Sequence, residues 1–207
     1  MLICRAVVTL DRVFERPFPW PHDPGLENAP IRHVPLRGSV GDVEVGTFLG
    51  QLCDTNHAGF GDDDELIEDI EAIFDQLCSR EDLIVPGGIG VWSDGEPILL
   101  PGCCCGLEGW REWIAFLDAG AAPPWCGHTP DAFFERLPEE RLCFGREGSP
   151  GTRLETSSAE LRAALRVAES DLVAFKETLE GWVRRMAPAH EARLVPCLDA
   201  AFQFTGR

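Results

Sequence analysis

Residues 157–188 read SSAELRAALRVAESDLVAFKETLEGWVRRMAP, and this stretch decides the fold class. Ser157 with Glu160 three positions on forms a capping box, in which each side chain accepts from the other residue's backbone N–H. From Leu161 the apolar residues Leu161, Leu165, Ala168, Leu172, Phe175, Leu179, Trp182 and Met186 recur at alternating steps of four and three. That spacing is one face of a long helix, and Pro188 ends it. The stripe is under four heptads long and includes Ala168, so packing against a sheet is favoured over a coiled-coil seam.

Upstream, Arg141 to Phe144 reads as a short strand. Leu107 to Leu117 reads as a helix with Leu107, Trp110, Ile114 and Leu117 on one side. Leu83 to Leu100 reads as a hairpin closed at Ser93-Asp94-Gly95-Glu96, because Asp-Gly tolerates the positive φ that a two-residue turn requires. Asp62 to Cys78 reads as a helix whose apolar face is Leu66, Ile67, Ile70, Ile73, Phe74 and Leu77. Asp62, Asp63, Asp64 and Glu65 crowd its start, where the helix dipole favours anions.

Asp42 to Leu52 reads as a strand with Val43, Val45, Thr47 and Leu49 on one face. Pro17, Pro19, Pro21 and Pro24 mark an irregular segment, and Cys4 to Phe14 reads as a first strand. There is no internal repeat, low-complexity tract or linker. The expectation is a single α+β domain over residues 1–207, a mainly antiparallel sheet packed by two or three helices including the long C-terminal one.

The 207 residues are 44% apolar, enough for a sizeable core without disulfides or metal. No apolar run approaches the roughly 20 residues that cross a bilayer. Met1 to Arg5 shows no basic region followed by an apolar stretch, so no secretory signal is visible. Nine cysteines, three of them consecutive at Cys103, Cys104 and Cys105, do not suit a disulfide framework. A reducing, cytoplasmic setting is expected. Lys176 is the sole lysine and tyrosine is absent, which reads as GC-rich codon bias and carries no functional information.

The net charge of −17 is uneven. Residues 1–60 carry 7 acidic and 5 basic groups, and residues 101–207 carry 16 and 12. Residues 61–100 carry 12 acidic groups and 1 basic, a net of −11. Nucleic acid is a poor partner for such a chain, since binding its backbone requires Lys and Arg to displace counterions. A protein with a basic surface is a better one. Glu65, Glu68, Asp69, Glu71 and Asp75 are the candidate partner-binding residues, because they lie off the apolar stripe of their helix.

The cysteine triplet lies between a strand and a helix start, where backbone N–H groups lower a thiol pKa. Cys105 and Arg111 have the Cys-x5-Arg spacing of anion loops in phosphatases and arsenate reductases. Glu108 in the cradle, bulky Leu107 and Trp110, and Glu112 after Arg111 all oppose that chemistry. Cys53 with His57, and Cys126 with His128, add possible metal ligands, and Cys103, Cys105, Cys126 and His128 form the alternative metal set. No Cys-x2-Cys pair occurs, adjacent cysteines cannot easily all reach one tetrahedral ion, and free cysteines are commonly small buried residues. No metal and no cofactor is expected. His128 reads as a loop-fixing side chain. No Ser-His-Asp order, phosphate loop or dinucleotide fingerprint is present.

The hairpin ending in Pro-Gly-Cys-Cys with its Trp-rich helix (Ile98 to Trp113), the Gly-His-x-Pro at Gly127 to Pro130, and the long helix Ser157 to Met186 together resemble a family of uncharacterised bacterial proteins associated with toxin-immunity loci. The resemblance covers the C-terminal half. It implies an α+β binding protein, not an enzyme, that neutralises a cognate toxin by occluding it, and it transfers no catalytic residue. The acidic stretch points to a basic partner independently. The alternative is a thiol-dependent enzyme or metal protein using Cys103 to Cys105.

Overall fold

The structure is a computed structural model that describes residues 1–10, 18–23, 31–61, 67–102, 104–128 and 131–203. Those residues form an α+β protein with two antiparallel sheets and a long C-terminal helix. Their contacts group into two compact units, each assembled from separated stretches of chain. The first comprises Met1–Thr9, His33–Leu36 and Gly87–Leu172; the second comprises Leu10–Arg32, Arg37–Pro86 and Val173–Arg207.

The first unit holds both sheets. Strands β1 (Leu2–Leu10), β2 (Arg32–Pro35), β3 (Gly87–Ser93) and β4 (Glu96–Leu99) form a sheet ordered β2-β1-β3-β4. The expected hairpin is β3 and β4, paired antiparallel with Ser93 opposite Glu96. Its turn residues Asp94 and Gly95 have φ of 51° and 89°, the double left-handed conformation that makes Asp-Gly the preferred pair there. The expected first strand is described as far as Leu10; its continuation to Phe14 lies outside the described residues.

Strands β5 (Ala132–Leu137), β6 (Arg141–Arg146) and β7 (Leu154–Ser157) form the other sheet. The expected strand at Arg141 is its centre. Helix α3 (Trp110–Ala119), entered through a 3-10 turn at Leu107–Gly109, packs on it. The Trp113 ring meets Phe134 and Phe144 edge-on, at 5.6 and 6.2 Å between centroids, and Phe116 meets Phe134 at 5.6 Å. Such pairs contribute about 0.5–1.5 kcal/mol beyond the area they bury.

The expected strand at Asp42 is a helix, α1 (Asp42–Thr55). Val43, Val45, Thr47 and Leu49 alternate, but the residues that are fully buried are Val45, Phe48, Leu49, Leu52 and Cys53. Their steps of three and one have helical period, while Val43 is 46% exposed. Glu44 Oε2 accepts from the Gly41 N–H at 3.0 Å, closing the helix start.

Helix α2 (Ile70–Cys78) is shorter than the expected Asp62 to Cys78. Asp69 caps it by accepting from the Glu71 N–H at 3.0 Å, and an N-cap residue has non-helical backbone, so helix cannot continue through it. Residues 62–66, including Leu66, lie outside the described residues.

Helix α4 (Ser158–Met186) carries the expected stripe, with Leu161, Leu165, Ala168, Leu172, Phe175, Leu179 and Trp182 all buried and Met186 at its exposed end. Ser157 Oγ accepts from the Glu160 N–H at 3.2 Å, and Glu160 Oε2 accepts from the Ser157 N–H at 3.1 Å, which is the expected reciprocal cap. A 3-10 turn at Pro188–His190 follows, then α5 (Glu191–Ala201), which contains Pro196.

In the second unit Phe48 packs against Phe175 and Phe202, at 5.1 and 5.6 Å. Trp20 stacks on Phe74 at 5.4 Å and meets Trp182 edge-on at 6.1 Å. The Trp20 indole N–H donates to the Gly46 carbonyl at 2.9 Å. A Cβ at Gly46 would lie 1.8 Å from the Pro21 carbonyl oxygen, so only glycine lets α1 approach that segment this closely.

Candidate functional site

The acidic stretch of the second unit is built around α2. Its apolar side, Ile73, Phe74 and Leu77, is fully buried, which turns the other side to solvent. Glu68, Asp69, Glu71 and Asp75 are all exposed. Glu65 lies outside the described residues.

Two of the four described carboxylates also hold the fold. Asp69 is the α2 cap. Asp75 Oδ1 pairs with the Arg193 guanidinium of α5 and lies 3.4 Å from His190 Nε2. Glu68 and Glu71 are exposed and have no ion pair among the described residues.

Further exposed carboxylates follow the helix. Glu81 and Asp82 are exposed just beyond α2, and Ile84 beside them is 52% exposed. The signal was present in the charge count for residues 61–100, which includes both carboxylates. Arg80 is the one basic residue in that span, and its guanidinium donates to the His57 carbonyl at 2.9 Å. An exposed apolar side chain therefore stands beside exposed carboxylates.

The thiols are placed differently. Cys103 lies outside the described residues, and Cys104 is exposed with φ of 58°. Cys105 is buried, and its thiol donates to the Trp125 carbonyl at 3.5 Å. Burial, with Glu108 and Glu112 nearby, pushes it up to about 12. Cys126 is buried, donates to the Pro124 carbonyl at 3.6 Å, and is pushed up to about 12 by burial, Cys105 and Glu112. Cys105 and Cys126 are therefore neighbours held as neutral thiols, whereas a nucleophile or metal ligand must be a thiolate.

The Arg111 guanidinium lies over the Trp110 ring at 4.4 Å. His128 is exposed and meets Trp125 edge-on at 5.0 Å. Cys53 is fully buried while His57 is exposed. Among the described residues no group of three or more His, Cys, Asp or Glu side chains could hold a metal ion.

Compared with protein-family models, curated proteins and solved structures, the chain matches none. Among the described residues no helix is long and apolar enough to cross a membrane.

Proposed function

We propose that the chain is a protein-binding module that docks a basic partner surface through the acidic side of its second unit. The observation that supports this reading is the concentration of charge: residues 61–86, which belong to that unit, hold 10 acidic groups against 1 basic. The described members of that set around α2 are solvent-exposed. Isolated surface charges contribute little to folding, about 1 kcal/mol or less each, so beyond the Asp69 cap and the Asp75 pair the fold does not require them to gather there. A like-charged cluster does accelerate encounter with an oppositely charged protein.

The resemblance to toxin-immunity proteins gives the finer form of the proposal. The partner is a basic toxin domain, neutralised by occlusion inside a reducing compartment, without catalysis by the chain and without nucleic acid as a target. The test is co-expression with the product of the adjacent gene. The reading expects a stable complex on co-purification and restored growth of cells that the gene product alone inhibits. An adjacent product that neither binds nor inhibits growth removes the toxin form of the proposal.

A further inference from the structure

Helix α2 packs against α5 and the 3-10 turn before it. Asp75 on α2 pairs with Arg193 on α5. One turn further along each helix stand Cys78, three residues after Asp75, and Cys197, four residues after Arg193. Positions three and four apart share a helix face, so Cys78 lies on the α2 face that meets Arg193, and Cys197 lies on the α5 face that meets Asp75. The Cys78 thiol donates a hydrogen bond to Cys197. Both residues are part-exposed, and both thiols are free.

We propose that Cys78 and Cys197 are a redox modification site, a dithiol that a low-molecular-weight disulfide oxidises to a cystine joining the end of α2 to α5. The thiolate of one cysteine attacks a sulfur of the small disulfide and expels one small thiolate, leaving a mixed disulfide. The second cysteine, losing its proton, attacks the protein sulfur of that bond and expels the other small thiolate. Two protein thiols and one small disulfide become one protein disulfide and two small thiols, with two electrons passing to the small molecule.

The surroundings set the rate. Burial and the hydrogen bond that its S–H donates to Cys197 push the Cys78 thiol up to about 12; Asp75 acts in the same direction and Arg193 opposes them. Cys53 of α1 is also close enough to interact with Cys78 and is itself fully buried. With little thiolate at neutral pH the first step is slow, while ring closure is fast because the second sulfur is already in contact. This inference does not depend on the partner proposed above.

The experiment treats the native full chain with oxidised glutathione, blocks the remaining thiols, and maps linked peptides by mass spectrometry. The expected product links Cys78 to Cys197, is reversed by dithiothreitol, and forms about tenfold faster for each unit of pH gained below the thiol pKa. Cys78→Ser and Cys197→Ser should each abolish the link, and Cys53→Ser should retain it. The wild-type map alone decides the matter if a variant fails to fold. A Cys78 linked to Cys53, or glutathione left on Cys78 or Cys197 with no link between them, would overturn the proposal.

Discussion

Asp75 on α2 and Arg193 on α5 form an ion pair across two helices of the second unit, with His190 Nε2 3.4 Å from the same carboxylate oxygen. Asp75 belongs by sequence to the acidic face of α2, yet it is engaged within the chain, unlike Glu68 and Glu71. The pair separates the described carboxylates around α2 into Asp75, which joins helices, Asp69, which caps α2, and Glu68 and Glu71, which have no ion pair among the described residues.

That separation predicts unequal effects of charge reversal. Asp75→Lys sets a cation against Arg193 and should lower stability by about 1 kcal/mol, as expected for the loss of one exposed pair and its replacement by repulsion. Glu71→Lys should leave the denaturation midpoint close to that of the parent. Urea unfolding of both variants checks this; equal losses would mean that the Asp75 pair contributes nothing.

Gly46→Ala should destabilise, although alanine favours a helix interior by about 1 kcal/mol. The added Cβ would meet the Pro21 carbonyl at 1.8 Å and the Trp20 ring at 2.9 Å. Separating them weakens the Trp20 N–H bond to the Gly46 carbonyl and the stack of Trp20 on Phe74. The expected loss is about 1–3 kcal/mol by urea unfolding, the range for forced overpacking. A stabilised variant would show that the segment around Pro21 moves away freely.

The cap of α4 predicts a pH signature. The Ser157 backbone N–H, then the Ser157 and Thr156 hydroxyls, hold the Glu160 carboxyl below its ordinary value of 4.5. A carboxyl lowered by folding stabilises the folded state above the ordinary value, and that contribution is lost as pH falls through the lowered one. Glu160→Gln should therefore lower the thermal midpoint at neutral pH, and the difference from the parent should shrink in acid. A difference that stays constant from neutral pH into acid would contradict the cap's electrostatic role.

The elements legible in sequence were those with one dominant local signal. The Ser157–Glu160 box, the stripe from Leu161 to Trp182 and the Asp94-Gly95 turn each admit a single local solution. Asp42 to Leu52 carried two periods at once, since Val45 and Leu49 fit both a strand face and a helix face. Phe48 and Cys53, buried against other elements, decide for the helix. Helix α5 was not read from the sequence: Pro188 before it read as the end of the long helix, and Pro196 lies inside it. The pairing of Asp75 with Arg193, 118 positions apart, has no local trace, and neither does the exposure of Glu81 and Asp82 after the helix ends.

The cysteine chemistry is tested by thiol reactivity. Cys105 and Cys126 are buried and their thiols are pushed up to about 12, so a maleimide at neutral pH should label exposed Cys104 well before either. Cys105→Ser should leave any aryl-phosphate hydrolysis by the preparation unchanged, and protein purified without chelator should contain no stoichiometric zinc. Rapid labelling of Cys105, or one zinc per chain, would restore the thiol or metal reading.

Binding kinetics with the product of the adjacent gene, at low and high salt, test the central claim most directly. The variant is Glu68→Lys with Glu71→Lys, which spares the Asp69 cap and the Asp75 pair. If the acidic side of the second unit steers docking, the parent's association rate falls as salt shortens the screening length to about 8–10 Å and below. The double variant then associates at least about tenfold more slowly at low salt, with a flattened salt dependence and unchanged thermal stability. A variant that associates as fast as the parent, with the same salt dependence, would contradict the account and leave these carboxylates as solvated surface alone.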